Sequence, residues 1–178
     1  SPPAGKQRPY VATEEQVWQL YDAFPEHLRA AILTGALMGT RDAEACGLAI
    51  ADLDLMRGIW HPTAQYPAEP LKTETSMTSV PFGQALALEL SAHIAATEKL
   101  RRGGWLLCNE WGEQLAPWTL QRAMRAARAK VPGLPTGFRY QDLRHYYASM
   151  LIRSGADVKV VQARMRHASA KTTLDTYS

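Results

Sequence analysis

The chain has 178 residues, 46% of them hydrophobic and 21% charged, enough to bury one core and too short for several domains. No run of about 18 apolar residues occurs and Ser1-Pro2-Pro3 begins no signal peptide, so the expectation is a soluble, cytoplasmic chain and no membrane partner. The net charge is only +3, but residues 1–117 carry 9 basic and 14 acidic side chains while residues 118–178 carry 11 and 3, a surplus that points to a polyanion docking on the last third.

Residues 1–9 are polar, proline-bearing and aperiodic, and read as a linker or a cut end. Thr13-Glu14-Glu15-Gln16 has the capping-box pattern and predicts a helix through about Ala23. Residues 28–38 are mostly apolar and predict a central helix, which Gly39-Thr40 breaks. A short helix resumes over 42–48 and places Arg41 at the joint. Short strands follow at 51–55, 59–62 and, past a loop holding Pro67 and Pro70, 78–81; together they predict a small antiparallel sheet inserted among helices. Residues 84–100 predict a long amphipathic helix, ended by Arg101-Arg102-Gly103-Gly104 and followed by a short buried segment at 105–108. Helices at 117–130, 141–153, 158–164 and 170–176 complete an α+β, mostly α-helical domain with one small three-stranded antiparallel sheet. Cys46 and Cys108 lack any metal-ligand spacing and read as buried thiols; Trp60, Trp105, Trp111 and Trp118 read as core or loop anchors.

The chemistry gathers in the last third. On the helix from Gln141, residues Leu143, Tyr147, Met150 and Leu151 follow core spacing, while Gln141 and Arg144 share another face. An arginine held on a rigid helix suits a phosphate, because its planar fork pairs with two oxygens at once. Arg144 is followed by Met165-Arg166-His167 and then by Thr172-Thr173-Leu174-Asp175-Thr176-Tyr177. Arginine, histidine and tyrosine in that order suit strand transfer, in which a phenol attacks a phosphodiester while other groups neutralise charge and manage two protons. Arg122, Arg125 and Arg128 recur every three residues along one helix and are expected to track a DNA backbone.

These boxes resemble the catalytic domain of a tyrosine recombinase of the phage integrase family, over residues 10–178. Gly39-Thr40-Arg41-Asp42-Ala43-Glu44 is similar to the first box of that family, Gln141-Asp142-Leu143-Arg144-His145 to its His-x-x-Arg-His box, Lys72 to its hairpin lysine, His167 to its third-box histidine and Tyr177 to its nucleophile. The resemblance implies that Arg41 and Arg144 clamp the phosphate, His167 donates a further hydrogen bond, Lys72 protonates the leaving 5′ oxygen and Tyr177 forms a 3′-phosphotyrosyl link. One phosphodiester is exchanged for another of similar energy, so no cofactor, ATP or metal is implied.

Two positions depart from the pattern. Gln141 stands where the family usually has histidine, and an amide can hydrogen-bond a phosphate but cannot titrate, which predicts reduced activity. Arg166 stands where glycine is common, and is expected to alter the turn or to add a DNA phosphate contact. His145 points elsewhere on the helix and is expected to be structural.

The resemblance further implies duplex DNA at specific attachment sites as substrate and a homotetramer on DNA in the full-length protein, with this piece alone a monomer. Accessory DNA-bending or directionality factors are also implied. A separate N-terminal core-binding domain and a C-terminal tail are family features outside this stretch. The expected role is integration or excision of a mobile element in a bacterial host; a chromosome-dimer resolvase, a type IB topoisomerase-like enzyme and a DNA-binding decoy remain alternatives.

Overall fold

The computed structural model describes residues 8–167. Helix α1 (Glu14–Ala23) begins at the expected capping box: the Thr13 hydroxyl accepts from Gln16 N–H at 3.1 Å, and Gln16 Oε1 accepts from Thr13 N–H at 3.0 Å. Gln16 is itself buried, and its Nε2 donates to the Pro132 carbonyl at 3.0 Å, so the cap also ties the chain start to a distant loop.

Helix α2 (Ala30–Met38), preceded by a 3-10 turn at Glu26–Leu28, is buried at every position except Leu37. A helix that is apolar all round must be covered on all sides, and α1, α4 (Gln84–Ala96) and α6 (Leu143–Arg153) pack around it. Gly35 lets α6 approach: a Cβ there would lie 2.9 Å from Leu143 Cδ1. Each large aliphatic side chain buried in this helix, such as Ile32 or Leu33, contributes roughly 1.5–3 kcal/mol of transfer free energy.

After α3 (Asp42–Gly47) come β1 (Leu53–Asp54), β2 (Ile59–Trp60), β3 (Ala64–Gln65), β4 (Glu69–Pro70) and β5 (Val80–Pro81). The expected three-stranded antiparallel sheet is present, in the order β1-β2-β5. The loop expected around Pro67 and Pro70 instead contains a second hairpin, β3–β4, with Ala64 paired to Pro70. Strands of two residues are too short to show the alternation that would have announced them.

Helix α4 stops at Ala96 rather than running to residue 100, because Thr97, at φ −101 and ψ 5, leaves the helical region and Arg101 then caps the end with hydrogen bonds to Ile94 O and Thr97 Oγ1. Helix α5 (Pro117–Arg128) buries Leu120, Met124 and Ala127 along one stripe. A 3-10 turn, Tyr140–Asp142, leads into α6, and α7 (Val158–Met165) closes the described part. Cys46 and Cys108 are buried and free, as expected, and burial first, with the Asp42 charge second, pushes the Cys46 thiol up to about 12. Among the described residues no helix is long and apolar enough to cross a membrane. The helix expected at 170–176 lies outside the described residues.

Candidate active site

The site begins with a turn that only glycine tolerates. Gly39 ends α2 at φ +70, and a Cβ on it would sit 2.6 Å from the Tyr147 ring, so both backbone and packing exclude a side chain. A buried hydroxyl network holds the facing element: the Tyr140 phenol donates to the Ala31 carbonyl at 2.8 Å and meets Thr40 Oγ1 at 2.8 Å and Thr34 Oγ1 at 3.2 Å. The first turn of α6, and with it Arg144, is thereby fixed against the α2–α3 turn.

Arg144 is buried and donates from Nη1 to the Gly39 carbonyl and from Nη2 to the Met165 carbonyl at 3.0 Å. It bridges the α2–α3 turn and the end of α7. Arg41, two residues past Gly39, is the N-cap of α3, with a side chain 37% exposed. Its backbone N–H donates to Glu44 Oε1 at 2.9 Å and its Nη1 to Glu44 Oε2 at 3.3 Å. The two arginines that the sequence separates by about a hundred residues therefore meet at one turn.

His167 follows the C-cap residue of α7, Arg166, its backbone N–H donating to the Gln162 carbonyl at 3.1 Å. Its pKa is pushed down to about 4, first by burial and then by the positive charges of Arg144, Arg41, Arg166 and His145. At neutral pH the ring is uncharged, with one nitrogen donating and the other accepting. Lys72 lies just past β4, exposed. A cleft of about 470 Å³ is lined by Arg41, Lys72, Thr73, Ser76 and His167, with the buried Glu44–Arg166 pair beneath them at its floor. Cations and a neutral imidazole around one opening suit a phosphodiester, whose non-bridging oxygens need charge and whose bridging oxygens need proton donors.

The remaining expected residues fall elsewhere. Gln141 precedes α6 and directs Nε2 to Asp42 Oδ1 at 3.0 Å, while Asp42 Oδ2 takes Nε2 of Gln121 from α5, also at 3.0 Å. Its amide is engaged in tying three elements together rather than held out to the cleft. His145, expected to be structural, sits 3.6 Å from Asp142 Oδ1. Tyr177 lies outside the described residues.

Arg166 departs from the expected DNA phosphate contact. Its side chain is 0% exposed and makes a two-point contact with Glu44, with Nη2 2.7 Å from Oε1 and Nη1 on Oε2. Burial alone would raise the Glu44 pKa, but the hydrogen bonds and charge of Arg166, and then Arg41, hold it below the ordinary carboxylate value. The sequence places Glu44 in the first box, three residues after Arg41, but assigns it no task; in the fold its Oε1 accepts from the N-cap N–H of Arg41, one half of a capping box whose other half an arginine side chain cannot supply.

The three arginines of α5 also divide. Arg122 and Arg125 are exposed, opposite the Leu120–Met124–Ala127 stripe. Arg128 is half-buried, and its Nη1 donates to the Phe138 carbonyl at 2.7 Å, bracing the segment that leads into α6. Trp60 is buried under the Arg166 guanidinium, but Trp111 and Trp118, expected as anchors, are 66% and 60% exposed. They line a second groove of about 590 Å³ with Tyr66 and Arg122.

The arrangement has relatives. The phage integrase family profile matches residues 11–178. The chain is 31% identical to tyrosine recombinase XerD of Corynebacterium glutamicum, across 97% of this chain and 58% of that one. It is 30% identical to tyrosine recombinase XerC of Thermodesulfovibrio yellowstonii, across 76% and 44%. It thus spans about half the length of the curated relatives it matches. Among solved structures, XerA recombinase superposes with a TM-score of 0.79 at 22% identity, covering 97% of this chain and 61% of that one. The Tn1549 transposon integrase in complex with transposon right end DNA superposes at 0.80 with 17% identity, covering 98% and 63%. With the family profile covering nearly all of it and its fold shared with these recombinases, the chain belongs to the phage integrase family of tyrosine recombinases.

Proposed function

We propose that the chain is the catalytic domain of a site-specific recombinase that cuts and rejoins duplex DNA, integrating or excising a mobile element in the cytoplasm of a bacterial host. The observation that carries this is the convergence of Arg41, Lys72 and His167 on one cleft beside the buried Arg144. A free tyrosine, with a pKa of about 10, is roughly 0.1% phenolate at pH 7, so attack by Tyr177 needs the charge that forms on the phosphorane to be neutralised nearby. Arg41 and Arg144 do this, and neutral His167 donates a hydrogen bond to a non-bridging oxygen. The Tyr177 oxygen forms a bond to phosphorus as the bond to the 5′ oxygen breaks, and Lys72 gives that oxygen its proton. The product is a 3′-phosphotyrosyl link and a 5′ hydroxyl, whose return attack on a new phosphotyrosine rejoins the strands. The assembly on attachment-site DNA is a homotetramer of the complete protein, helped by DNA-bending or directionality factors.

A nicked suicide duplex carrying the natural site, mixed with the complete protein, tests this. Wild type is expected to form a covalent adduct and Tyr177→Phe none; an adduct that survives Tyr177→Phe removes the nucleophile. The Xer names of the curated relatives favour chromosome-dimer resolution as a second role for the same chemistry. Sequencing the DNA bound by the complete protein separates the two. Since the Gln141 amide is tied to Asp42, Gln141→His is expected to change the adduct rate by about tenfold or less. An adduct that appears only with histidine there would instead make the natural chain a DNA-binding decoy.

A further inference from the structure

Arg166 occupies a backbone conformation that disfavours a side chain, φ 58 at the end of α7, and buries a full positive charge there. Glycine would remove both penalties. The guanidinium instead joins four elements: it takes both oxygens of Glu44 on α3, reaches the Gly39 carbonyl at 3.4 Å and the Ser76 carbonyl of the β4–β5 loop at 3.3 Å, and lies 4.6 Å from the centre of the Trp60 ring. It shares Glu44 with Arg41, which approaches the same two oxygens through its backbone N–H and Nη1.

Charge balance gives this sharing a consequence. Arg41 and Glu44 alone would form a neutral pair, with the buried carboxylate drawing the guanidinium inward and cancelling the charge it offers the cleft. With Arg166 occupying both carboxylate oxygens, the trio carries one net positive charge, and the 37% exposed side chain of Arg41 presents it at the opening.

We propose that Arg166 is a positioning residue for the phosphate clamp: acting through the Glu44 carboxylate, it holds Arg41 oriented and uncancelled at the scissile phosphate, without touching DNA itself. This rests on the recombinase function proposed above and assigns it a residue where the family pattern has glycine.

Single-turnover cleavage of the suicide duplex by the complete protein tests it, read together with DNA affinity across a salt series. Arg166→Met is expected to slow cleavage by about 10²-fold while DNA affinity changes by less than about threefold. Adding Glu44→Gln removes the carboxylate that would otherwise cancel Arg41 and is expected to recover at least about tenfold of that loss, a rescue that a merely structural arginine would not show. In an Arg41→Ala background, Arg166→Met should cost less than about threefold, because the residue it acts on is gone. Should Arg166→Met not fold, Arg166→Lys, which keeps the charge but cannot make the two-point contact, is read in the same cycle. Equal losses with and without Arg41, an unchanged rate, or a salt-dependent loss of affinity would overturn the proposal. If wild type forms no adduct, the recombinase function fails and takes the proposal with it; an active wild type with an indifferent Arg166 sinks the proposal alone.

Discussion

Arginine is used in two opposite ways in two regions of this molecule. Around the cleft, Arg144 and Arg166 are buried and held by carbonyls and a carboxylate from different elements, leaving Arg41 half-exposed at the opening. On α5, Arg122 and Arg125 stand in solvent on the face opposite the core stripe. A buried guanidinium is worth what its geometry allows, because its desolvation is repaid only through well-placed partners. An exposed one is screened by salt and contributes affinity with little regard to its orientation. The first group is therefore expected to govern rate, and the second to govern how much DNA is bound.

The largest effect expected from that contrast is at Arg144. Arg144→Ala should lower single-turnover adduct formation by about 10³-fold or more, since it removes a transition-state cation and takes a donor from the Gly39 and Met165 carbonyls. Arg144→Lys is the sharper variant, because it keeps the charge and loses the fork. If lysine restores the wild-type rate, charge alone suffices and the contrast between buried and exposed arginines loses its geometric half.

How far this contrast could be read from the sequence depends on the range of each interaction. The element order was legible because its signals are local: the Thr13–Gln16 capping box, the apolar run over 28–38, the Gly39 break. Arg41 and Arg144 were legible through motif order, and the fold brings them to one turn. The fate of Arg166 was not, since an arginine in a basic stretch signals a surface and its partner Glu44 is 122 residues upstream. Arg128 misled in the same way, completing a three-residue period along α5 while its guanidinium turned to Phe138. Periodicity reports which face a residue starts from, and a long flexible side chain can leave that face. Trp111 and Trp118 failed from the opposite direction: aromatic composition suggests burial, and nothing local announced that both would stand exposed beside Arg122.

The α5 side of the contrast is tested by salt. Replacing Arg122 and Arg125 together by alanine is expected to reduce the slope of log affinity against log salt by about 0.9 for each phosphate no longer neutralised, while cleavage at saturating DNA stays within about twofold of wild type. Arg128→Met should leave that slope nearly unchanged and cost instead about 1.5–3 kcal/mol in urea unfolding, the usual worth of one hydrogen bond made by a charged donor. A large slope change at Arg128 would return it to the DNA-facing set and blur the division between buried and exposed arginines.

The smallest expected effect concerns His167, where the clustered cations act on a titrating neighbour. Burial, followed by the charges of Arg144, Arg41 and Arg166, pushes its folded pKa down to about 4, from an ordinary value of 6.5. Between those two values the unfolded chain binds more protons than the folded one, so stability is complete above about 6.5 and is lost as pH falls toward 4. Other groups contribute to the same window: His93 is pushed down by burial, partly offset by the Leu106 carbonyl, and His27 and His145 are pushed down by burial as well. A single denaturation curve therefore cannot assign the slope, but a difference can. The drop in Tm between pH 7 and pH 4.5 should be smaller in His167→Gln than in wild type. In Arg122→Ala, whose cation is not among those that depress His167, the drop should match wild type. If the two variants behave alike, the cleft cations are no more concentrated than those on α5, and the electrostatic distinction between the two regions disappears.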